Sequence, residues 1–159
     1  MKKIIETVAS YLDKNGLKYF VDEDGDAIHF WRCGEFAQMR MLIRSTMNGS
    51  GLNCYAFFPF MAPQAARPAM ALRLAKLNYQ LSWGNYEMDP EDGEIRFRTA
   101  VPVFNGRVAH RSLDYLIQAP SAILDDEATS LMGLCCGATE EAPEEDNSMT
   151  QSLGRYTRN

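Results

Sequence analysis

The stretch from Met70 to Val103, MALRLAKLNYQLSWGNYEMDPEDGEIRFRTAVPV, decides the fold, because helical periodicity, turn chemistry and charge placement agree within it. Met70, Leu74, Leu77 and Leu81 recur at the spacing of one helix face, and Leu72, Ala75 and Tyr79 form a second apolar stripe beside it. Arg73, Lys76 and Gln80 mark the wet side. After Trp83-Gly84, the runs Asn85 to Asp89 and Glu94 to Val103 flank Pro90-Glu91-Asp92-Gly93, whose Asp-Gly step is a strong hairpin-turn signal. A helix with a broad apolar face therefore feeds directly into a β-hairpin.

Toward the N-terminus the same order occurs once more. Lys3 to Asn15 has Ile4, Val8, Tyr11 and Leu12 on one side and stops at Asn15-Gly16, a helix followed by its C-terminal signal. Leu17 to Val21 and Ala27 to Arg32 then flank an acidic turn, Asp22 to Asp26. Tyr19–Phe30 and Tyr86–Phe97 have equal length, and each holds Asp-Gly followed by Ile-x-Phe. Two hairpins with one turn requirement converge on such a pattern without duplication. Asp22, Asp24 and Asp26 do not make a calcium loop, since its glycine would be Ala27 and its bidentate glutamate Cys33. A tight turn, which Asp and Gly tolerate, explains them better.

Between these units lie two more strands, Gln38 to Thr46 and Asn53 to Phe60, joined by the polar, glycine-bearing Met47–Gly51. Pro59 and Pro63 are expected to end the second strand, and Pro68 suits the first turn of the helix that follows. Beyond the central hairpin, Pro102 ends a strand and Asn105-Gly106 turns the chain. Leu113, Leu116, Ile117, Pro120, Leu124, Ala128 and Leu131 keep helical spacing past a proline, which predicts a kink at Pro120 or two short helices.

The 159 residues suffice for one core. We expect a domain over 1–137 and an acidic, disordered tail over 138–159, with Leu153 to Tyr156 as a short docking segment. The net charge of −5 comes from the end of the chain. Residues 125–159 carry eight acids against Arg155 and Arg158, which leaves the rest at +1. No apolar run approaches the roughly 20 residues of a membrane-spanning helix. Glu6, Ser10 and Asp13 break any apolar region after Met1-Lys2-Lys3, so the expectation is a cytoplasmic protein without membrane attachment. The four cysteines are then expected as thiols. Adjacent Cys135-Cys136 has neither redox nor metal-ligand spacing, and His29 and His110 are too few for a metal site of usual pattern.

Alternation sorts each strand into two sets of side chains. Ile28, Phe30, Met39, Met41, Ile43, Cys54, Ala56, Phe58, Phe60, Ile95, Phe97 and Val101 form a core set. The opposite set, His29, Trp31, Arg40, Leu42, Arg44, Tyr55, Phe57, Glu94, Arg96 and Arg98, is aromatic and basic together. If the strands are neighbours, Trp31, Leu42, Tyr55 and Phe57 make an apolar centre rimmed by Arg40, Arg44, Arg96 and Arg98. Another part of the chain or a subunit could cover it. Left open, it suits an acidic or amphipathic segment of another protein. Single-stranded RNA is the lesser alternative, because the nearly neutral folded part lacks the usual RNA-binding sheet signature. The acidic tail could lie across this face and compete with an outside ligand.

LAKLNYQLSWGNYEMD from Leu74 to Asp89, the Gly93–Arg98 strand and Ala56-Phe57-Phe58-Pro59 resemble the corresponding parts of bacterial YbjN-type proteins. Those proteins are similar in fold to type III secretion chaperones. The resemblance implies an α+β fold with helix, antiparallel strands, helix, hairpin and helix in order, over residues 1 to about 134. It implies a sensory regulator and transfers no catalytic residue. Chaperones of that fold bind extended protein segments and form homodimers, by analogy only.

No nucleophile elbow, phosphate loop or metal-spaced histidine pair supports an enzyme. We expect a non-catalytic protein-recognition module without a cofactor, dimeric through the second stripe of the central helix. An uncharacterised enzyme, using Cys33 or Cys54 with His29, is the alternative of a different class.

Overall fold

A computed structural model describes residues 2–46 and 49–137 of the chain. The expected tail over 138–159 lies outside the described residues, as do Met47 and Asn48. The elements run α1 (Lys2–Lys14), β1 (Tyr19–Val21), β2 (Ala27–Cys33), β3 (Gln38–Ser45), β4 (Gly51–Met61), α2 (Arg67–Gln80), β5 (Asn85–Met88), β6 (Glu94–Pro102), α3 (His110–Asp126) and α4 (Ala128–Cys135). A single 3-10 turn, Gln64–Ala66, leads into α2.

The strands form a six-stranded sheet in the order β1-β2-β3-β4-β6-β5, with every neighbouring pair antiparallel. The two hairpins thus hold opposite edges of the sheet, in matching register: Tyr19 faces Phe30 in one and Tyr86 faces Phe97 in the other. Each turn is closed by an aspartate. Asp22 Oδ1 accepts the amides of Asp26 and Ala27, both at 3.0 Å, and Asp92 Oδ1 accepts that of Glu94 at 2.8 Å. Gly93 has φ +84 and lies against the chain at Ala62, whose carbonyl oxygen would be 2.2 Å from any Cβ placed there. Glycine is required at that turn for both reasons.

The helices cover one face of the sheet. Ile4, Ile5, Val8, Tyr11 and Leu12 of α1, Met70 and Leu74 of α2, Leu113, Leu116, Ile117 and Leu124 of α3, and Ala128, Leu131 and Leu134 of α4 share one core with Ile28, Phe30, Met39, Met41, Ile43, Cys54, Ala56, Phe58, Ile95, Phe97 and Val101. Burying this many large apolar side chains is the main favourable contribution to folding.

Three expectations are corrected. Phe60 is 40% exposed rather than core, because β4 changes register against β6 between Phe57 and Met61, and the irregularity buries both Phe57 and Phe58. Pro59 lies inside β4 instead of ending it. The ladder with β3 ends at the Arg40–Phe57 pair, so the missing proline N–H interrupts no bond on that side. Finally, α3 runs unbroken through Pro120, and the break falls at Glu127. A proline at this position leaves the carbonyl of Leu116 without its helical donor. The Thr99 hydroxyl of β6 donates to that oxygen instead, at 3.1 Å in the buried core.

Candidate functional site

The strand register places all the residues singled out for recognition on the sheet face away from the helices. Trp31, Arg40, Phe57 and Arg96 stand side by side across β2, β3, β4 and β6, with Glu87 of β5 at the end of the row. The adjacent row reads Phe20, His29, Leu42, Tyr55, Arg98 and Asn85 from edge to edge. Arg44 stands in a third row, between Ala27 and Asn53. Because side chains alternate across the pleat, these rows project to one side.

The rows form a surface of their own. Phe57 is only 7% exposed, yet it takes no part in the core beneath the helices. The Arg40 guanidinium carbon lies 3.5 Å over its ring centroid and Tyr55 packs at 6.3 Å, so neighbours on the open face cover it. Arg96 sits 4.9 Å above the Tyr55 ring. These cation–π contacts hold flat guanidinium groups against flat rings. At the β1 edge the rings of Phe20 and His29 stack at 4.7 Å with an interplanar angle of 4°, and Trp31 joins at 5.9 Å from Phe20. Trp31 remains 46% exposed and Phe20 49%.

The electrostatics are milder than a count of arginines indicates. Glu87 receives Arg96 Nε at 2.7 Å and Arg98 Nε at 2.9 Å, while Glu94 lies 3.5 Å from Arg40 and 3.8 Å from Arg96. Burial works against the Glu87 carboxylate, but the Arg96 and Asn85 hydrogen bonds and the Arg98 and Arg96 charges outweigh it and hold its pKa below the usual glutamate value. Exposed Arg44 makes no ion pair among the described residues. The rim is therefore a lattice of arginines fixed by two glutamates, with modest net positive charge.

Two members escaped the sequence reading. Phe20 was placed in a strand but not on the face, and only the Phe20–His29 register shows that it belongs there. Glu87 alternates with Tyr86 and Met88 in β5, a pattern that could have flagged it.

Neither Cys33 nor Cys54 forms a hydrogen bond with His29 among the described residues. Cys54 is fully buried, and burial pushes its pKa well above the ordinary thiol range. Cys33 is exposed on the same side of β2 as His29, and its sulfur is 3.9 Å from Gln38 Nε2. Among the described residues no group of three or more His, Cys, Asp or Glu is arranged to hold a metal ion, and no helix is long and apolar enough to cross a membrane.

An antiparallel sheet with helices on one face and an aromatic–arginine lattice on the other defines an α+β protein with a surface rather than a cleft as its main feature. Residues 5–128 match the YbjN family model, described as "Putative bacterial sensory transduction regulator", and the chain belongs to that family. The description is of a regulator, not of an enzyme. No curated protein matches the chain. Among solved structures it is similar to one titled "Crystal structure of YbjN, a putative transcription regulator from E. coli", with a TM-score of 0.54 and 13% identity over 80% of this chain and 86% of that one. At that identity the likeness is one of fold.

Proposed function

We propose that the protein is a non-catalytic recognition module of the cytoplasm, and that Trp31, Arg40, Leu42, Arg44, Tyr55, Phe57, Arg96 and Arg98 bind an extended segment of another protein. The observation that carries this reading is the in-register pair of rows, in which rings and guanidinium groups alternate across strands with no described helix above them. Rings that are rigid, partly exposed and rimmed by arginine are the usual anchors of protein interfaces. The matching ligand has apolar side chains at alternate positions and acidic groups between them, to reach Arg44 and the outward edges of the paired arginines. The regulatory family agrees with binding in place of turnover.

Peptide-display selection tests this. Wild type should enrich acidic, apolar-alternating sequences, and Trp31→Ala and Arg40→Glu should lose them while keeping their melting temperature. Equal enrichment by all three proteins would sink the proposal. If RNA is the true ligand, oligonucleotide binding will fall steeply with salt, and charge reversal at Arg40 and Arg96 will flatten that dependence.

A homodimer forms part of the same proposal. Leu72 is 57% exposed and Tyr79 93% exposed on α2, and Ala75 between them is exposed as well. This stripe stays uncovered after Met70 and Leu74 have closed the core, and it offers a second copy a self-complementary helix face.

A further inference from the structure

A separate site lies where β6 outruns its neighbour. β5 pairs with β6 only as far as Asn85 opposite Arg98, so from Thr99 to Pro102 the outer edge of β6 has no strand beside it. A cavity of about 320 Å³ opens there, with Trp83, Val101 and Pro102 on one side and Arg111, Ser112 and Tyr115 of α3 on the other. None of the eight residues assigned to segment recognition lines it.

The backbone beside Trp83 is fixed by its neighbour. Gly84 has φ +77 and approaches β6 so closely that a Cβ would lie 2.7 Å from the Phe97 ring and 2.8 Å from the Arg98 carbonyl oxygen. The loop is pressed onto the strand, yet the indole is left 73% exposed, a large apolar plate with little protein against it.

The facing wall brings unengaged polar groups to a cavity whose lining is mostly apolar. The side chains of Arg111, Ser112 and Tyr115 make no hydrogen bond or ion pair among the described residues. Burial pushes the Tyr115 pKa up, which keeps that phenol a neutral donor. The N-cap of α3 is Ala109, which supplies no side-chain acceptor, so this wall also carries the positive end of the helix.

We propose that this cavity binds a small aromatic carboxylate, with the ring lying against Trp83, Val101 and Pro102 and the carboxylate paired with Arg111. A planar guanidinium takes both carboxylate oxygens at once, and the volume is at the small end of ligand pockets, enough for a one- or two-ring molecule. A second cavity among the described residues, lined by Glu35, Asp125 and Asp126, is acidic, and its Asp125 is already occupied by backbone amides.

The test uses the full chain, with indole-3-acetate as probe and its uncharged isostere indole-3-acetamide as control. Binding is followed through the Trp83 indole N–H resonance, assigned by comparison with Trp83→Phe. The acid should shift that resonance saturably at millimolar concentration, and both the amide and the Arg111→Gln variant should bind at least about tenfold more weakly. Arg111 is exposed, so its variant should retain the wild-type melting temperature. No saturable shift, equal binding by the amide, or undiminished binding by folded Arg111→Gln would each overturn the proposal.

Discussion

Thr99 of β6 donates its hydroxyl proton to the carbonyl oxygen of Leu116, 3.1 Å away, the oxygen that Pro120 leaves without a helical partner. This sheet-to-helix bond explains why α3 continues through its proline. Thr99→Val keeps the shape and removes the donor, which should lower the unfolding free energy by about 1–3 kcal/mol because a buried carbonyl is left unpaired. Pro120→Ala restores an amide at that position, so the cost of Thr99→Val should shrink in the Pro120→Ala background. Urea unfolding of the four proteins checks this, and strict additivity would show that the hydroxyl does not substitute for the helical bond.

Asp125, near the end of α3, accepts the amide of Glu35 at 2.7 Å and that of Phe36 at 3.1 Å, clamping the β2–β3 loop to the helix. A Cβ at Gly34 would lie 2.1 Å from Asp125 Oδ1 and displace the carboxylate from both amides. Gly34→Ala and Asp125→Ala should therefore each cost about 1–3 kcal/mol, for the same lost hydrogen bonds. The double variant should be no less stable than Asp125→Ala alone. A double-variant cost equal to the sum of the singles would rule out this shared cause.

The Glu87 carboxylate titrates below the usual glutamate range because its arginine and asparagine partners outweigh its burial. A depressed folded-state pKa contributes stability that is fully present above the unfolded value, about 4.3, and is lost as pH falls through the lower folded value. Thermal unfolding measured downward from neutral pH should show that loss in wild type and a shallower one in Glu87→Gln. The same variant should loosen Arg96 and Arg98 and weaken segment binding at neutral pH.

Tyr79→Asp and Leu72→Asp alter α2 positions that the core does not use. Sedimentation should show dimers for wild type at micromolar concentration and monomers for either variant, with melting shifted only as far as lost association requires. Monomeric wild type at high micromolar concentration would remove the proposed dimer.

Some of this was legible in the residues. The alternating pattern of β2, β3 and β6 sorts core from open face because the register shift of the sheet falls on β4, between Phe57 and Met61, and not on those strands. Phe60 broke the rule because its place depends on the bulge that carries Pro59, and alternation counted through a bulge assigns the wrong face. Pro120 misled for a related reason. Its local cost is real, but the compensating donor comes from Thr99, on another element.

Local chemistry by itself determined that this chain makes two acidic-turn hairpins, amphipathic helices and one sheet with unlike faces. Periodicity and turn residues act over a few neighbours, and that information is written in consecutive positions. Tertiary structure alone decided that the hairpins take opposite edges, that Phe20 and Glu87 join the open face, and that Trp83 meets Arg111 and Tyr115 around a cavity. Those pairings join residues far apart in the chain, where the packing of helices on strands sets the distances and no local pattern records them.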